Sequence, residues 1–197
     1  MPHFDKTLSI SEAIDEVLGN KVPESSWACL LPRASYQEIL FPKGMLHEDT
    51  STILDFLALF DEFSIVEQPI YAYVIRRGSV MNAESASFVQ ICDYLAAIDK
   101  MQSFILERHP ERLDLLLWKT ALCYVRCYSL LSSADSNDIR VCKLKTILRD
   151  FARASLPELI AATRLHSLSK LQLLRYILFA VSPQAEKRIL SLYKALL

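Results

Sequence analysis

The chain has 197 residues, of which 52% are hydrophobic, with only 3 glycines and 8 prolines, so its composition excludes a disordered protein. Its formal net charge of −1 hides an asymmetry. Residues 140–197 carry 11 Lys and Arg against 3 Asp and Glu, whereas residues 1–139 carry 11 against 20. A basic end of this kind indicates contact with an anionic surface, and packing on the acidic front part of the chain explains it equally well.

The cysteines and the apolar runs indicate the cellular compartment. The five cysteines show no paired CxxC spacing and are interpreted as small core residues in a reducing compartment. Residues 1–19 are polar and amphipathic, so no secretory signal is expected. The longest apolar run, Leu171–Val181, is well short of the ~20 residues that span a bilayer. We expect a cytoplasmic protein, with a peripheral position on the inner face of the membrane as the alternative.

Short helices and turns are predicted at the start of the chain. The capping-box pattern Ser9–Glu12 predicts a helix from about Ile10 to Leu18, which Gly19 ends. The segment Ser25–Leu31 fits a short helix or a strand, and its pattern does not decide between them. A second capping-box pattern, Ser35–Glu38, predicts one further helical turn.

The stretch Phe41–Asp49 combines a Pro-Gly turn with two adjacent carboxylates. It predicts that Glu48 and Asp49 lie in the first turn of a helix that continues to Phe60. That helix is expected to bury Ile53, Leu54, Phe56, Leu57 and Phe60.

Two β-like runs follow, Phe63–Glu67 and Ile70–Ile75. Their alternation predicts a two-stranded element in which Tyr71 and Tyr73 are core or cross-strand packing residues. An exposed edge on this element would favour pairing with a second copy of the chain or with a partner. The basic turn Arg76–Ser79 comes next.

From about residue 83 onward the pattern predicts helices only, and the fold class is mostly α (α+β). A small two-stranded β element with helices would form a domain at residues 1–82, and a helical bundle would form a second at residues 83–197. The expected helices are Ser85–Arg108, Pro110–Leu131, Asp138–Ala154, Leu156–Leu165, Ser169–Val181 and Gln184–Leu197.

Four motifs follow one another in residues 9–82: Pro23 through Trp27, Phe41-Pro42-Lys43-Gly44 with His47-Glu48-Asp49, Pro69-Ile70-Tyr71-Ala72-Tyr73, and Arg76-Arg77-Gly78-Ser79-Val80-Met81. In this order they resemble the C-terminal, acceptor-side half of a bacterial family 2 glycosyltransferase of the GT-A type, as used for cell-surface polysaccharides. The resemblance implies an inverting sugar transfer. It makes Asp49 the base that takes the proton of the acceptor hydroxyl, with Glu48 beside it. It implies substrate contacts for Trp27, His47, Arg76, Gly78 and Ser79.

The family's donor-binding half has no counterpart in this sequence, which contains no Asp-x-Asp motif and no glycine-rich phosphate loop. We therefore expect a truncated acceptor-side portion of a hexosyltransferase, inactive alone or completed by a separate donor-binding chain. A nucleotide sugar would bind only to the completed enzyme. Whether the chain is itself an enzyme stays open, and no cofactor and no metal site is expected, since the histidines are scattered.

The alternative is a non-catalytic helical protein that binds a partner or an anionic membrane surface through residues 140–197. Basic residues there are interleaved with apolar ones that fit an interfacial helix: Leu165, Leu168, Leu171, Leu174, Ile177 and Leu178. No nucleic-acid recognition motif accompanies the charge, so no nucleic acid is expected as a partner.

Overall fold

The structure is a computed structural model that describes residues 6–66, 71, 72, 74, 87–131, 137–165, 169–186, 188 and 189. It is mostly helical with one small two-stranded sheet, which confirms the predicted fold class. The chain divides into two compact units after Ala83. The front unit comprises Met1–Ala83 and Asp93–Arg112, and the helical unit comprises Glu84–Cys92 and Leu113–Leu197.

The sheet of the front unit pairs two distant parts of the chain. Strand β1 (Lys6–Ser9) runs antiparallel to β2 (Glu62–Ile65), with Leu8 opposite Phe63. The predicted run at 63–67 is therefore a strand, but its partner is the chain start and not the run Ile70–Ile75. Tyr71, Ala72 and Val74 lie outside any strand, and the rest of that second run lies outside the described residues.

The first helix confirms its sequence prediction. Helix α1 (Ile10–Leu18) begins at a capping box in which Ser9 and Glu12 bond each other's backbone, and it ends at Gly19. Its buried face packs on α3 (Glu48–Leu57), and this contact forms part of the core of the front unit. The buried apolar side chains of the two helices are Ala13, Ile14, Val17, Leu18, Ile53, Leu54, Phe56 and Leu57. Each large side chain among them contributes about 1.5–3 kcal/mol.

Two further helix predictions for the front unit were partly wrong. Helix α2 (Ser35–Glu38) forms, but Ala34 occupies its N-cap with helical dihedrals and Ser35 lies buried inside the turn. A capping side chain needs an extended N-cap residue, so no capping box forms there. Helix α3 stops at Leu57, and Phe60 is only half-buried.

The remaining elements are helical, and α5 and the helices after it belong to the helical unit. Helix α4 (Phe88–Arg108) supplies Phe88–Cys92 to this unit and its other residues to the front unit. A 3-10 turn (Pro110–Arg112) leads into α5, and α5 packs on all three helices that follow it. The bounds are Leu113–Leu131 for α5, Ile139–Ala154 for α6, Leu156–Leu165 for α7 and Lys170–Val181 for α8.

Side-chain caps explain where α6 and α8 begin. Asp138 accepts the backbone N–H of Arg140 at the start of α6, and Ser169 accepts that of Gln172 at the start of α8. The core of the unit collects large side chains from three helices: Trp118, Leu131, Leu148, Tyr176 and Phe179. Of the last predicted helix, residues 184–186, 188 and 189 are helical, the helix begins one residue earlier at 183, and the rest lies outside the described part of the chain.

Candidate functional site

The loop before α3 is held at His47, the N-cap of that helix. Its backbone is left-handed (φ 63°), a conformation that costs a non-glycine residue about 1–2 kcal/mol. The imidazole stacks on Tyr94 with ring centroids 4.3 Å apart, and the backbone N–H of Leu46 donates to the Asp93 carboxylate at 3.0 Å. Since Asp93 and the buried Tyr94 both belong to α4, a long helix fixes the geometry of the loop.

This loop delivers Glu48 and Asp49 to the first turn of α3, as the sequence predicts. The Asp49 Oδ1 atom accepts the backbone N–H of Thr50 at 2.8 Å, which orients the carboxylate. The helix N-terminus adds a positive local potential that favours a carboxylate in this position. Within the described ranges, neither Glu48 nor Asp49 forms a salt bridge.

The segment Glu24–Cys29 is tied to the same helical turn by one hydrogen bond and by an electrostatic interaction. The Thr50 hydroxyl donates to Glu24 Oε2 at 2.7 Å. Cys29 lies within electrostatic reach of Asp49, because burial first and the negative charge of Asp49 second raise the pKa of its thiol. Between Glu24 and Cys29 the backbone forms a single 3-10 turn (Ser26–Ala28).

That 3-10 turn presents Trp27, whose indole stacks on Tyr71 with ring centroids 4.9 Å apart and planes 24° apart. The two rings remain 47% and 56% exposed. The interpretation of Tyr71 as a core or cross-strand residue is therefore wrong. We call Trp27 and Tyr71 the aromatic platform. It is an open ring surface, and the chain joins it to the carboxylate turn of α3 through Glu24 and Cys29.

The structure brings together only some of the predicted site residues. Glu48 and Asp49 share the first turn of α3, and the segment that carries Trp27 is linked to that turn by the Glu24–Thr50 hydrogen bond and by the electrostatic effect of Asp49 on Cys29. The ring of His47 packs on Tyr94, which gives it a positioning contact, and its predicted substrate contact stays a prediction. Arg76, Gly78 and Ser79 lie outside the described residues.

Sequence patterns missed Glu24, Cys29 and Asp93. Their interactions with Thr50, Asp49 and Leu46 join positions far apart in the chain, and no local sequence pattern reveals such an interaction. The position of Glu24 in the motif that leads to Trp27 was the one available signal.

Chemically, the neighbourhood combines a flat apolar surface with hydrogen-bond acceptors, an arrangement that suits a ligand with one apolar face and several hydroxyls. No group of three or more His, Cys, Asp and Glu in the described ranges could hold a metal ion. None of the described helices is both long enough and apolar enough to cross a membrane. The chain matches no family model, no curated protein and no solved structure.

Proposed function

We propose that the front unit is the acceptor-side portion of an inverting glycosyltransferase of the family 2 kind, and that it binds the sugar alcohol that receives the transferred sugar. The observation that carries this proposal is the exposed aromatic platform, Trp27 with Tyr71, on a segment that is hydrogen-bonded to the carboxylate turn through Glu24 and Thr50. The order of the sequence motifs supports the same reading.

The platform would hold the acceptor ring. The C–H face of a pyranose is apolar and packs on an aromatic face, while carboxylates accept hydrogen bonds from the ring hydroxyls. Because the two rings stack on each other, the acceptor would pack on the outer face that the stack leaves to one of them. Glu48 would accept a hydrogen bond from a hydroxyl group of the bound sugar and so orient that sugar toward Asp49.

Asp49 would act as the general base. The acceptor oxygen forms a bond to the anomeric carbon of the donor sugar as the bond from that carbon to the nucleotide diphosphate breaks, and the released proton passes to Asp49. A carboxylate fixed by the Thr50 N–H needs little reorganisation for this transfer. The donor sugar would be held by a separate donor-binding chain, and Arg76 with Gly78 and Ser79 would lie near its diphosphate.

Saccharide binding can be measured through the fluorescence of Trp27. The chain has 2 tryptophans, and Trp118 is only 1% exposed. A Trp118→Phe background leaves Trp27 as the reporter. Titration with a panel of neutral mono- and disaccharides should change its emission and protect it from acrylamide quenching.

Matched variants locate the binding site. Asp49→Asn and Tyr71→Ala should each weaken binding of the saccharide that wild type binds by at least about threefold. Each variant loses one contact with the acceptor sugar. Glu38→Gln and Leu40→Ala change an exposed carboxylate and an exposed apolar residue of the same unit and should bind like wild type. If no saccharide in the panel changes the emission, or if all four variants bind alike, the proposal fails.

The assignment of the donor to another chain has its own test. The isolated protein, titrated with nucleotide sugars in the presence of Mn²⁺, should show no binding in the micromolar range. Micromolar binding would place the donor site in this chain and contradict that part of the proposal.

We place this activity on the cytoplasmic side of a membrane. All five cysteines are free thiols, which persist in a reducing compartment. The basic end of the chain adds attraction to an anionic leaflet. In cell fractionation the protein should sediment with membranes and be released by high salt, because salt screens such attraction.

A further inference from the structure

Helix α8 carries two apolar faces. One face, with Tyr176, Phe179 and Ala180, is buried in the core of the helical unit. The other face is open to solvent. Its residues are Leu171 (61% exposed), Leu174 (52%), Val181 (70%) and the half-buried Leu178. We call these four residues the α8 stripe.

The stripe is continuous along the helix. With about 100° of rotation per residue, its four side chains fall within roughly 80° of the helix circumference. A globular helix needs one apolar face for its core, and the second face of α8 is mostly exposed. An exposed apolar patch of this kind marks an interaction surface.

Two cationic residues flank the α8 stripe, and one of them, Arg175, is ion-paired with Glu186. By the same rotation, Lys170 lies beside Val181 at one edge and Arg175 lies beside Leu171 at the other. Arg153 of α6 donates to the carbonyl oxygen of Ala180 at 3.0 Å, at the C-terminal end of the helix. Lys170 and Arg153 are exposed.

Acidic residues do little to offset these cations. Glu186 is buried and is bound by Arg175, with Nη2 2.9 Å from Oε1. The two charges of that pair neutralise each other. Residues 140–197 as a whole retain 11 Lys and Arg against 3 Asp and Glu.

We propose that the α8 stripe docks on an anionic lipid bilayer. Aliphatic side chains flanked by Lys and Arg match the two parts of such a surface, because the leucines enter the acyl boundary while the long cationic side chains reach the headgroups. The core of a protein–protein interface is instead enriched in aromatic side chains, and the stripe has none. The proposed surface lies in the helical unit and is independent of the acceptor site in the front unit.

Vesicle sedimentation with the full chain tests this proposal. The probes are vesicles of phosphatidylcholine alone and vesicles that also contain about 30% phosphatidylglycerol, which supplies the negative surface potential. Wild type should bind the anionic vesicles at least about tenfold more tightly than the neutral ones, and added salt should weaken the binding.

Variants assign the binding to the stripe. The double variant Leu171→Ser/Leu174→Ser should lose about tenfold or more in binding, since two apolar anchors are removed. Lys170→Glu should weaken binding to the anionic vesicles several-fold. The matched control Leu40→Ser/Leu106→Ser removes two exposed leucines from the front unit and should bind like wild type. Circular dichroism with thermal melting checks that each variant folds.

Four results would overturn the proposal. Negligible binding to both vesicle types would remove the lipid partner, and equal binding to both would remove the role of charge. Equal losses in the stripe variant and the control variant would remove the assignment to α8. If sedimentation equilibrium shows a dimer that only the stripe variant breaks, the surface joins two copies of this chain, and the lipid proposal fails.

Discussion

The thiol of Cys29 and the carboxylate of Asp49 are electrostatic neighbours, although the two residues belong to separate segments of the front unit. Burial is the larger cause of the raised pKa of Cys29, and the negative charge of Asp49 is the second. This pair links the turn that carries Trp27 to the first turn of α3. Cys29 therefore reports on the charge of the proposed catalytic base.

Removing that charge should make Cys29 more reactive. Asp49→Asn lowers the pKa of the thiol, and a larger fraction is then the reactive thiolate at pH 8. A lower pKa also weakens the nucleophile, so the net gain in the rate of iodoacetamide alkylation should be about two- to threefold. The rate is measured by mass spectrometry in a Cys92→Ser/Cys142→Ser background, which removes the two exposed cysteines.

Glu48→Gln is the matched control for this experiment. It neutralises the adjacent carboxylate, which is not among the causes of the shift in the pKa of Cys29. Its alkylation rate should equal that of the background protein. If both variants or neither variant changes the rate, Cys29 and Asp49 do not interact as the structure indicates.

A buried hydroxyl pair, Ser155 and Tyr176, ties the start of α7 to α8 at 2.8 Å. The Ser155 hydroxyl already donates to the carbonyl oxygen of Phe151 at 2.7 Å, so Tyr176 must be the donor within the pair. Ser155→Ala leaves the Tyr176 hydroxyl buried without its acceptor and should cost about 1–3 kcal/mol of unfolding free energy. Tyr176→Phe removes only the donor and should cost about 1 kcal/mol.

Urea unfolding followed by circular dichroism measures both variants. The order of the two costs is the diagnostic result, because it depends on which hydroxyl is the donor. A larger cost for Tyr176→Phe than for Ser155→Ala would show that the proton assignment is wrong.

Alkaline pH should destabilise the helical unit in two stages. Burial raises the pKa of Cys127 from 9.0 to about 12 and that of Tyr176 from 10.0 to about 12. The unfolded chain therefore loses these protons at lower pH than the folded chain does. The stabilisation is complete below pH 9, falls first through Cys127 and from pH 10 also through Tyr176, and is lost by about pH 12.

Cys127→Ala should flatten the first stage. Between pH 9 and 10, its unfolding free energy should fall less steeply than that of wild type, by up to about 1.4 kcal/mol per pH unit. Cys142→Ala removes an exposed thiol and serves as the control, with the wild-type slope. Urea titrations at closely spaced pH values give these slopes. Parallel slopes for wild type and Cys127→Ala would contradict the shifted pKa of Cys127.

Local patterns predicted the helices well because caps and burial periodicity are local. Ser9 and Glu12 lie in one turn, and the chain itself brings them together. Strand β1 left no such signal, because only Leu8 among its four residues is buried, and one buried residue shows no alternation. Its partner β2 is distant in the sequence, so no local pattern predicts the pairing.

The candidate site divides in the same way. The Pro-Gly turn and the two carboxylates are neighbours in sequence, so the placement of Glu48 and Asp49 on α3 was predictable. The stacking of Trp27 on Tyr71 joins residues from opposite sides of that helix in the sequence. The sequence around Tyr71 alternates as in a strand. Only the three-dimensional structure shows that its ring is exposed and stacks on Trp27.

The guanidinium of Arg112 fastens the turn after α4 to α1. Its Nε donates to Asp15 Oδ1 at 2.7 Å, Nη2 reaches the hydroxyl and carbonyl of Ser11, and the side chain is nearly buried.

Arg112→Met should lower the unfolding free energy of the front unit by about 1.5–3 kcal/mol. Arg112→Lys should cost less, because its ammonium group keeps the charge although it cannot reproduce the forked hydrogen bonds of the guanidinium. Lys100→Met, which breaks an exposed pair with Asp55, is the control and should cost at most about 1 kcal/mol. Urea unfolding in the Trp118→Phe background follows the front unit through Trp27, and equal costs for Arg112→Met and Lys100→Met would mean that the Arg112 fork adds no more than a surface ion pair.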